Sequence, residues 1–385
     1  MTVAPAIQKQ KAHGPAVALL AIGHAVDDFY QGAVPALIPF FVAAHHWNYA
    51  AASGITLAAT LLSSVAQPLF GALVDRWPMA WLVPVGMSVA GVGIGLSGLS
   101  SQYWVTWLAI ALSGLGVAAY HPGAARLARV ASRDSHHTGM GWFSLGGNVG
   151  FALAPVAVAP LLETLGVTGT LPLLVPALVF AFVTWILIRR LGTATVSGAR
   201  VAAGADDWWS FGKLTLAIVA RSVVTFGLGT FLALYVQKRL GVGAVGGDVA
   251  LAVFYGFGAC GTLLGGWVSG RWGRVRTVRI GYAVTIPSLV GMVLVGGPLM
   301  YGFIALTALA IYLPFSLHVT LGQDYLPGRH GTASGVTLGL AVSIGGLAVP
   351  VVGVIADAGG LELALSTLFV MPVVAFVAAL GLREP

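Results

Sequence analysis

The sequence predicts an all-α membrane protein of twelve transmembrane helices arranged as two six-helix pseudo-repeats. Three observations carry this. First, 58% of the 385 residues are hydrophobic and only 8% are charged, and the mean hydropathy is +0.92. A water-soluble domain carries roughly 25% charged residues, so this chain lacks the polar groups to cover a wetted surface. Second, its apolar runs are long and unbroken, as in Trp81–Leu99 and Leu171–Ile188. About 20 residues of helix cross a hydrocarbon core of about 30 Å, whereas a spanning barrel would alternate apolar and polar residues. Third, residues recur at an offset of 195: Gly71 with Gly266, Arg76 with Arg271, Trp77 with Trp272, Gly150 with Gly345 and Pro155 with Pro350. Parallel six-helix repeats are a known plan for secondary transporters.

Taken in order, the apolar runs place spans at 16–42, 50–74, 80–99, 103–127, 139–162 and 168–189 in the first half. The second half follows with 213–237, 248–269, 277–296, 299–322, 332–356 and 362–382. The breaks are short and leave no room for an inserted soluble domain. The longest polar stretch, Arg189–Lys213, holds Arg200, Asp206 and Asp207. It divides the chain into an N-terminal six-helix bundle (1–190), a cytoplasmic linker (191–212) and a C-terminal six-helix bundle (213–385). Sixteen of the nineteen Lys and Arg residues fall on the side of the N-terminus; Lys238 and Arg239 lie opposite and Arg221 lies within a span. Basic residues concentrate in cytoplasmic loops, so both termini are expected in the cytoplasm.

The same accounting excludes other classes. The net charge of +7 is explained by orientation, and no basic stripe or aromatic-basic patch points to nucleic acid. The single cysteine, Cys260, lies in an apolar run and can form no disulfide or cysteine metal site within one chain. Met1–Gly14 is short and polar with no small-residue cleavage site after it, so no removable signal peptide is expected. A membrane-embedded hydrolase or metal enzyme is the rival class. His24, Asp28, His121 and His318 are residue types that hold zinc, but there is no HExxH pattern, GxSxG elbow or GxxxxGK[ST] phosphate loop. The expectation is therefore no enzyme, no cofactor and no metal.

Ionisable residues at membrane depth are costly and mark function. In the first span His24, Asp27, Asp28 and Gln31 recur at helical spacing and share one face, with Tyr30 beside them. A carboxylate there can bind and release a proton, or form a fixed helix–helix contact. Arg221, in the seventh span, falls near the repeat position of Asp27. It can pair with Asp27 or Asp28, or bind an anionic group. His121, after Tyr120 in the fourth span, and His318 in the tenth lie close to equivalent repeat positions. Tyr312, Gln323 and Asp324 are weaker candidates. The glycines of the fifth and eleventh spans, with Pro155 and Pro350, suit close and kinked helix contacts.

The loop Gly71-Ala-Leu-Val-Asp75-Arg76 is similar to the GxxxDR signature of the major facilitator superfamily. Its repeat copy runs from Gly266 through Gly270 and Arg271 to Arg274, with Gly270 in place of the acid. Within that superfamily the chain resembles the fosmidomycin-resistance type of efflux transporter. The resemblance rests on His24 with Asp28 and Gln31, Asp75 to Trp81, His121-Pro122 with Arg126 and Arg129, Gly146-Gly147-Asn148-Val-Gly150, and Gln323 to Gly328. The departures are Gly123 where the family has Glu, Asp27 where it has Asn, and Gly141 to Leu145 in place of a Gln-flanked phenylalanine. The resemblance implies a major facilitator fold in a bacterial inner membrane, acting as a proton-driven antiporter that exports a small polar or anionic drug such as fosmidomycin. Import, or carriage of an endogenous metabolite, is the alternative. Proton coupling is expected at Asp28, Asp27 and His24, and substrate contacts at Arg221, His121, His318, Gln31, Tyr30, Tyr120 and Asn148, with Arg221 and His121 the anion contacts that the resemblance implies. Conformational roles are expected of Gly71, Asp75, Arg76, Gly266, Arg271 and Arg274. The expected partners are protons, a small solute and the lipid bilayer, and a monomer suffices.

Overall fold

A computed structural model describes residues 14–77, 79–132, 136–191, 205–327, 329, 332–333 and 335–385. All regular structure among them is helical. The first half comprises α1 (Gly14–His45), α2 (Tyr49–Arg76), α3 (Leu82–Leu96), α4 (Tyr103–Ser132), α5 (His136–Leu165) and α6 (Leu174–Leu191). The second comprises α7 (Trp208–Leu240), α8 (Ala244–Trp272), α9 (Arg274–Leu294), α10 (Leu299–Tyr312), α11 (Phe315–Tyr325), α12 (Ala341–Thr367) and α13 (Val370–Leu380). Every expected span falls on helix. Most of the expected linker, 192–204, lies outside the described residues.

Eight described segments are individually long and apolar enough to cross a membrane. Two of these are too long for one crossing: Gly141–Arg189 has 49 residues and Ser343–Leu380 has 38. Each contains a reversal. A 3₁₀ turn over Gly166–Leu173 joins α5 to α6, and Gly360, at φ 86°, breaks the helical path inside α12. That left-handed conformation is open to glycine and strained for residues with a Cβ. The tenth span is also split: Pro314, which has no N–H to donate, separates α10 from α11.

The seventh helix begins five residues before the expected span because Asp207 caps it, its carboxylate accepting the Ser210 N–H at 3.0 Å. Helix α1 lies against α5, and α7 lies against α12. These two pairs express the repeat in packing. A Cβ on Gly150 would strike the Ala25 carbonyl of α1, and one on Gly345 would strike Ser222 of α7. The core runs through both halves, while Trp104, Leu108, Leu153, Phe182 and Val377 point outward. In water such apolar area would be a liability; in lipid it is the matching surface.

The halves touch through α2 with α12 and α5 with α8. Thr230 on α7 donates to Thr56 on α2 at 3.1 Å. Asp357 on α12 accepts the backbone N–H groups of Tyr49 and Ala50 at 2.8 and 2.9 Å. Phe151 on α5 meets Tyr255 on α8 at 5.5 Å.

Candidate functional site

Helix α1 brings His24, Asp27 and Asp28 to a face covered by α4 and α5. All three are buried, Asp27 completely. His121 of α4 enters from the side and keeps 19% of its side chain exposed. His24 Nδ1 donates to the Phe143 carbonyl at 2.7 Å. His121 Nδ1 lies 2.9 Å from the Val117 carbonyl. A carbonyl oxygen only accepts, so each contact fixes a hydrogen on Nδ1. The two Nε2 atoms then face each other at 3.2 Å. Asp28 closes the triangle, with one oxygen 3.3 Å from His24 Nε2 and the other 3.1 Å from His121 Nε2.

Hydrogen-bond accounting decides what this triangle requires. Two neutral rings with Nδ1–H and an ionised Asp28 would point only lone pairs at one another. A proton added here turns one of these contacts into a hydrogen bond: a doubly protonated His121 donates from Nε2 to His24 or to Asp28. Asp27 lies 3.5 Å from His121 Nδ1, and neither of its oxygens has a hydrogen-bond partner.

The walls are aromatic and glycine. Phe143 stacks on the His24 ring at 4.0 Å and 11°, and Tyr120 lies on its other side at 6.4 Å. Gly147 of α5 leaves space for the acids: a Cβ there would strike Asp28, and would come within 2.7 Å of the His24 ring. Sequence alone gives Gly147 a helix-packing role, and the structure adds that it makes room for the cluster. His24, Asp28 and His121 also form, among the described residues, the group whose ligand atoms lie close enough to hold one metal ion, all within 4.8 Å.

Arg221 is buried in the second half. Its Nε donates to the Ile311 carbonyl at 2.8 Å, one of the carbonyls left without a helical partner at the end of α10. The guanidinium lies 4.9 Å from the ring centres of both Tyr312 and Phe315, within cation–π range. Among the described residues it has no carboxylate at ion-pair distance, so of the two sequence alternatives the pairing with Asp27 or Asp28 is not formed. His318 belongs to this half as well. Its Nε2 is 3.0 Å from the Tyr282 hydroxyl, and it is not part of the first-half cluster.

The remaining expected residues divide by contact. Tyr30 is fully buried and its hydroxyl donates to the Leu173 carbonyl at 2.8 Å, which makes it a tie between α1 and the α5–α6 turn. Tyr120 is also fully buried. Gln31 is half-buried, and Asn148 donates back to the Ser144 carbonyl at 3.2 Å. The Asp75 side chain lies outside the described residues. Gly71 and Gly266 have open space where a Cβ would be. Arg76 is exposed beside Trp77 and Arg271 stacks over Trp267 at 4.2 Å. Arg274 pairs with Asp324 at 2.6 Å and approaches Glu384 at 3.7 Å, fastening the start of α9 to α11 and to the C-terminus. Arg126 donates to the Val74 carbonyl at 2.7 Å, which makes it an anchor of the α2 end. One residue went unremarked in the sequence: Asp248 near the start of α8 is buried with neither oxygen hydrogen-bonded. An acid at the edge of an apolar run was the available signal.

The chain matches the Major Facilitator Superfamily over residues 20–350. It belongs to that superfamily. An uncharacterized MFS-type transporter of Bacillus subtilis, YfnC, is 28% identical over 95% of this chain and 92% of its own length. The fosmidomycin resistance protein of Escherichia coli is 28% identical over 94% of this chain and 90% of its own. A bacterial homologue of the lysosomal transporter Spinster, in an inward-facing and occupied conformation, superposes with a TM-score of 0.80 at 16% identity, covering 97% of both chains. The E. coli fucose:proton symporter FucP superposes with a TM-score of 0.66 at 13% identity, covering 97% of this chain and 100% of its own. These two likenesses speak for the fold. This major facilitator chain is a multi-pass membrane transporter of small molecules.

Proposed function

We propose that this transporter is a proton-coupled antiporter of a bacterial inner membrane, exporting a small polar or anionic compound of the phosphonate-drug type. The observation that carries the reading is the His24–His121–Asp28 triangle, whose facing lone pairs can take up a proton as a hydrogen bond. A proton site at membrane depth that retains access through His121 is what coupling to a proton gradient requires. The second half contributes the complementary charge. A buried guanidinium without a carboxylate costs several kcal/mol unless something offsets it. In Arg221 that cost is met when an anionic substrate docks beside it, between α7 and the broken α10–α11 span. Discontinuous helices recur at transporter substrate sites for this reason: their free backbone groups and ends are available to ligands.

In the exchange cycle, protonation discharges the acidic cluster, and loss of that proton restores it when the site faces the other side. The likeness to the fosmidomycin resistance protein supports an exported phosphonate, since a phosphonate offers Arg221 a bidentate partner. In this reading the two halves are domains 1–190 and 213–385, with both termini in the cytoplasm.

The test is growth of a fosmidomycin-sensitive bacterium expressing the protein, beside Asp28→Asn at matched expression. Protection by the parent and loss in the variant is the expected result. If Asp28→Asn still exports in full dependence on the proton gradient, the coupling assignment fails. If neither protects, the phosphonate substrate fails.

A further inference from the structure

The first-half cluster has the geometry of a metal site as well as that of a proton site. Zinc binds histidine nitrogen at about 2.0–2.1 Å, which puts neighbouring corners of a tetrahedron roughly 3.3–3.4 Å apart. Here the two Nε2 atoms are 3.2 Å apart, and each lies one such edge from a different oxygen of Asp28, 3.3 Å from His24 Nε2 and 3.1 Å from His121 Nε2. With one oxygen taken from Asp28, the three ligand atoms lie within 4.8 Å of one another, which supplies three ligands of a four-coordinate site. The surroundings match as well. A metal-bound imidazole normally donates its other N–H to a carbonyl or carboxylate, which fixes its tautomer and aims its lone pair. His24 does this through Phe143 and His121 through Val117. Asp27, buried and without a hydrogen bond, supplies a second negative charge 3.5 Å from the His121 ring. Gly147 leaves the space that Asp28 and the His24 ring occupy.

From this we infer that His24 Nε2, His121 Nε2 and an Asp28 oxygen bind one divalent transition-metal ion of the zinc class, leaving a fourth position for water or a ligand. His318, the fourth zinc candidate in the sequence, is excluded because it is bonded to Tyr282 in the other half. The ion and the coupling proton occupy the same lone pairs, so each displaces the other. This deepens the transport reading by giving its cluster a second cation. Metal content is read without transport, so either conclusion can fail alone.

The experiment uses the full chain in detergent, purified without a histidine tag. His13, His45, His46, His136, His137 and His330 are changed to Gln to remove other histidine ligands. After chelator treatment the protein is titrated with Zn²⁺ by calorimetry and, separately, with Co²⁺ by visible absorption. One Zn²⁺ per chain and the intense absorption of tetrahedral Co²⁺ are expected. His24→Ala, His121→Ala and Asp28→Asn, each monodisperse on gel filtration, should weaken Zn²⁺ more than about 100-fold, beyond the usual cost of losing an outer-shell partner. Failure of the parent protein to bind Zn²⁺ at micromolar free ion overturns the proposal, and so does affinity unchanged from the parent in the two histidine variants. The measurement on this six-substitution background needs none of the His24, His121 or Asp28 variants to fold.

Discussion

At the scale of the residue, the chain places ionisable groups where lipid would reject them and satisfies some of them locally, while Asp27 keeps no hydrogen bond. His24 and His121 are each held by a backbone carbonyl, so the freedom left in the cluster is which cation sits among its lone pairs. Gly147→Ala tests how tightly the space is drawn. The added methyl group would overlap Asp28 and crowd the His24 ring, and overpacking of this kind costs typically 1–3 kcal/mol. We expect export to fall at least tenfold, a change that needs only about 1.4 kcal/mol at the site, with membrane insertion retained; export assays alongside surface expression check it. Outside the membrane, Asp207 caps α7, and its hydrogen bonds from Ser210 hold the carboxyl below its ordinary value. A depressed carboxyl stabilises the folded state at pH above its unfolded value. That contribution fades as the pH falls through the folded value. Asp207→Ala should cost about 1 kcal/mol at neutral pH, and the difference from the parent should vanish in acid. Thermal unfolding in detergent at both pH values measures this.

At the scale of the element, the repeat is expressed as two equivalent close approaches, α5 on α1 at Gly150 and α12 on α7 at Gly345. Backbone contact at these points is possible because neither residue has a side chain. Gly150→Leu and Gly345→Leu should each destabilise their half, lowering the unfolding temperature in detergent, whereas Gly71→Leu, with open space around it, should not. The same scale holds the contact between halves. Asp357 caps the first turn of α2 across the interface with two hydrogen bonds, where an anion also interacts favourably with the helix dipole. Asp357→Ala should loosen closure at that end. A cysteine placed at Thr230, in a Cys260→Ser background, should then react faster with a polar maleimide than it does with Asp357 intact; unchanged reactivity would show that Asp357 does not hold the halves together there.

At the scale of the whole molecule, the sequence was sufficient for the class of protein. Low charge, long apolar runs and the offset of 195 required a helical membrane bundle in two similar halves, because lipid accepts only helices or closed barrels and these runs do not alternate as barrel strands do. It was also sufficient to nominate Asp27, Asp28, His24, His121 and Arg221, since each is an ionisable group in an apolar run. It could not say which of them meet. Helical spacing puts His24 and Asp28 on one face of α1, but the arrival of His121 from α4 depends on how α4 crosses α1. Arg221 shows the same limit: its repeat position suggested pairing with the acids, yet it is seated on a carbonyl exposed by the Pro314 break. His318 lies two residues from the repeat position of His121, yet it is hydrogen-bonded to Tyr282 within the second half and does not join the cluster. The periodicity of one helix is a local property, written in the order of its residues. The partner that fills a buried group's last hydrogen bond is set by long-range packing between helices, and only the tertiary structure decided it.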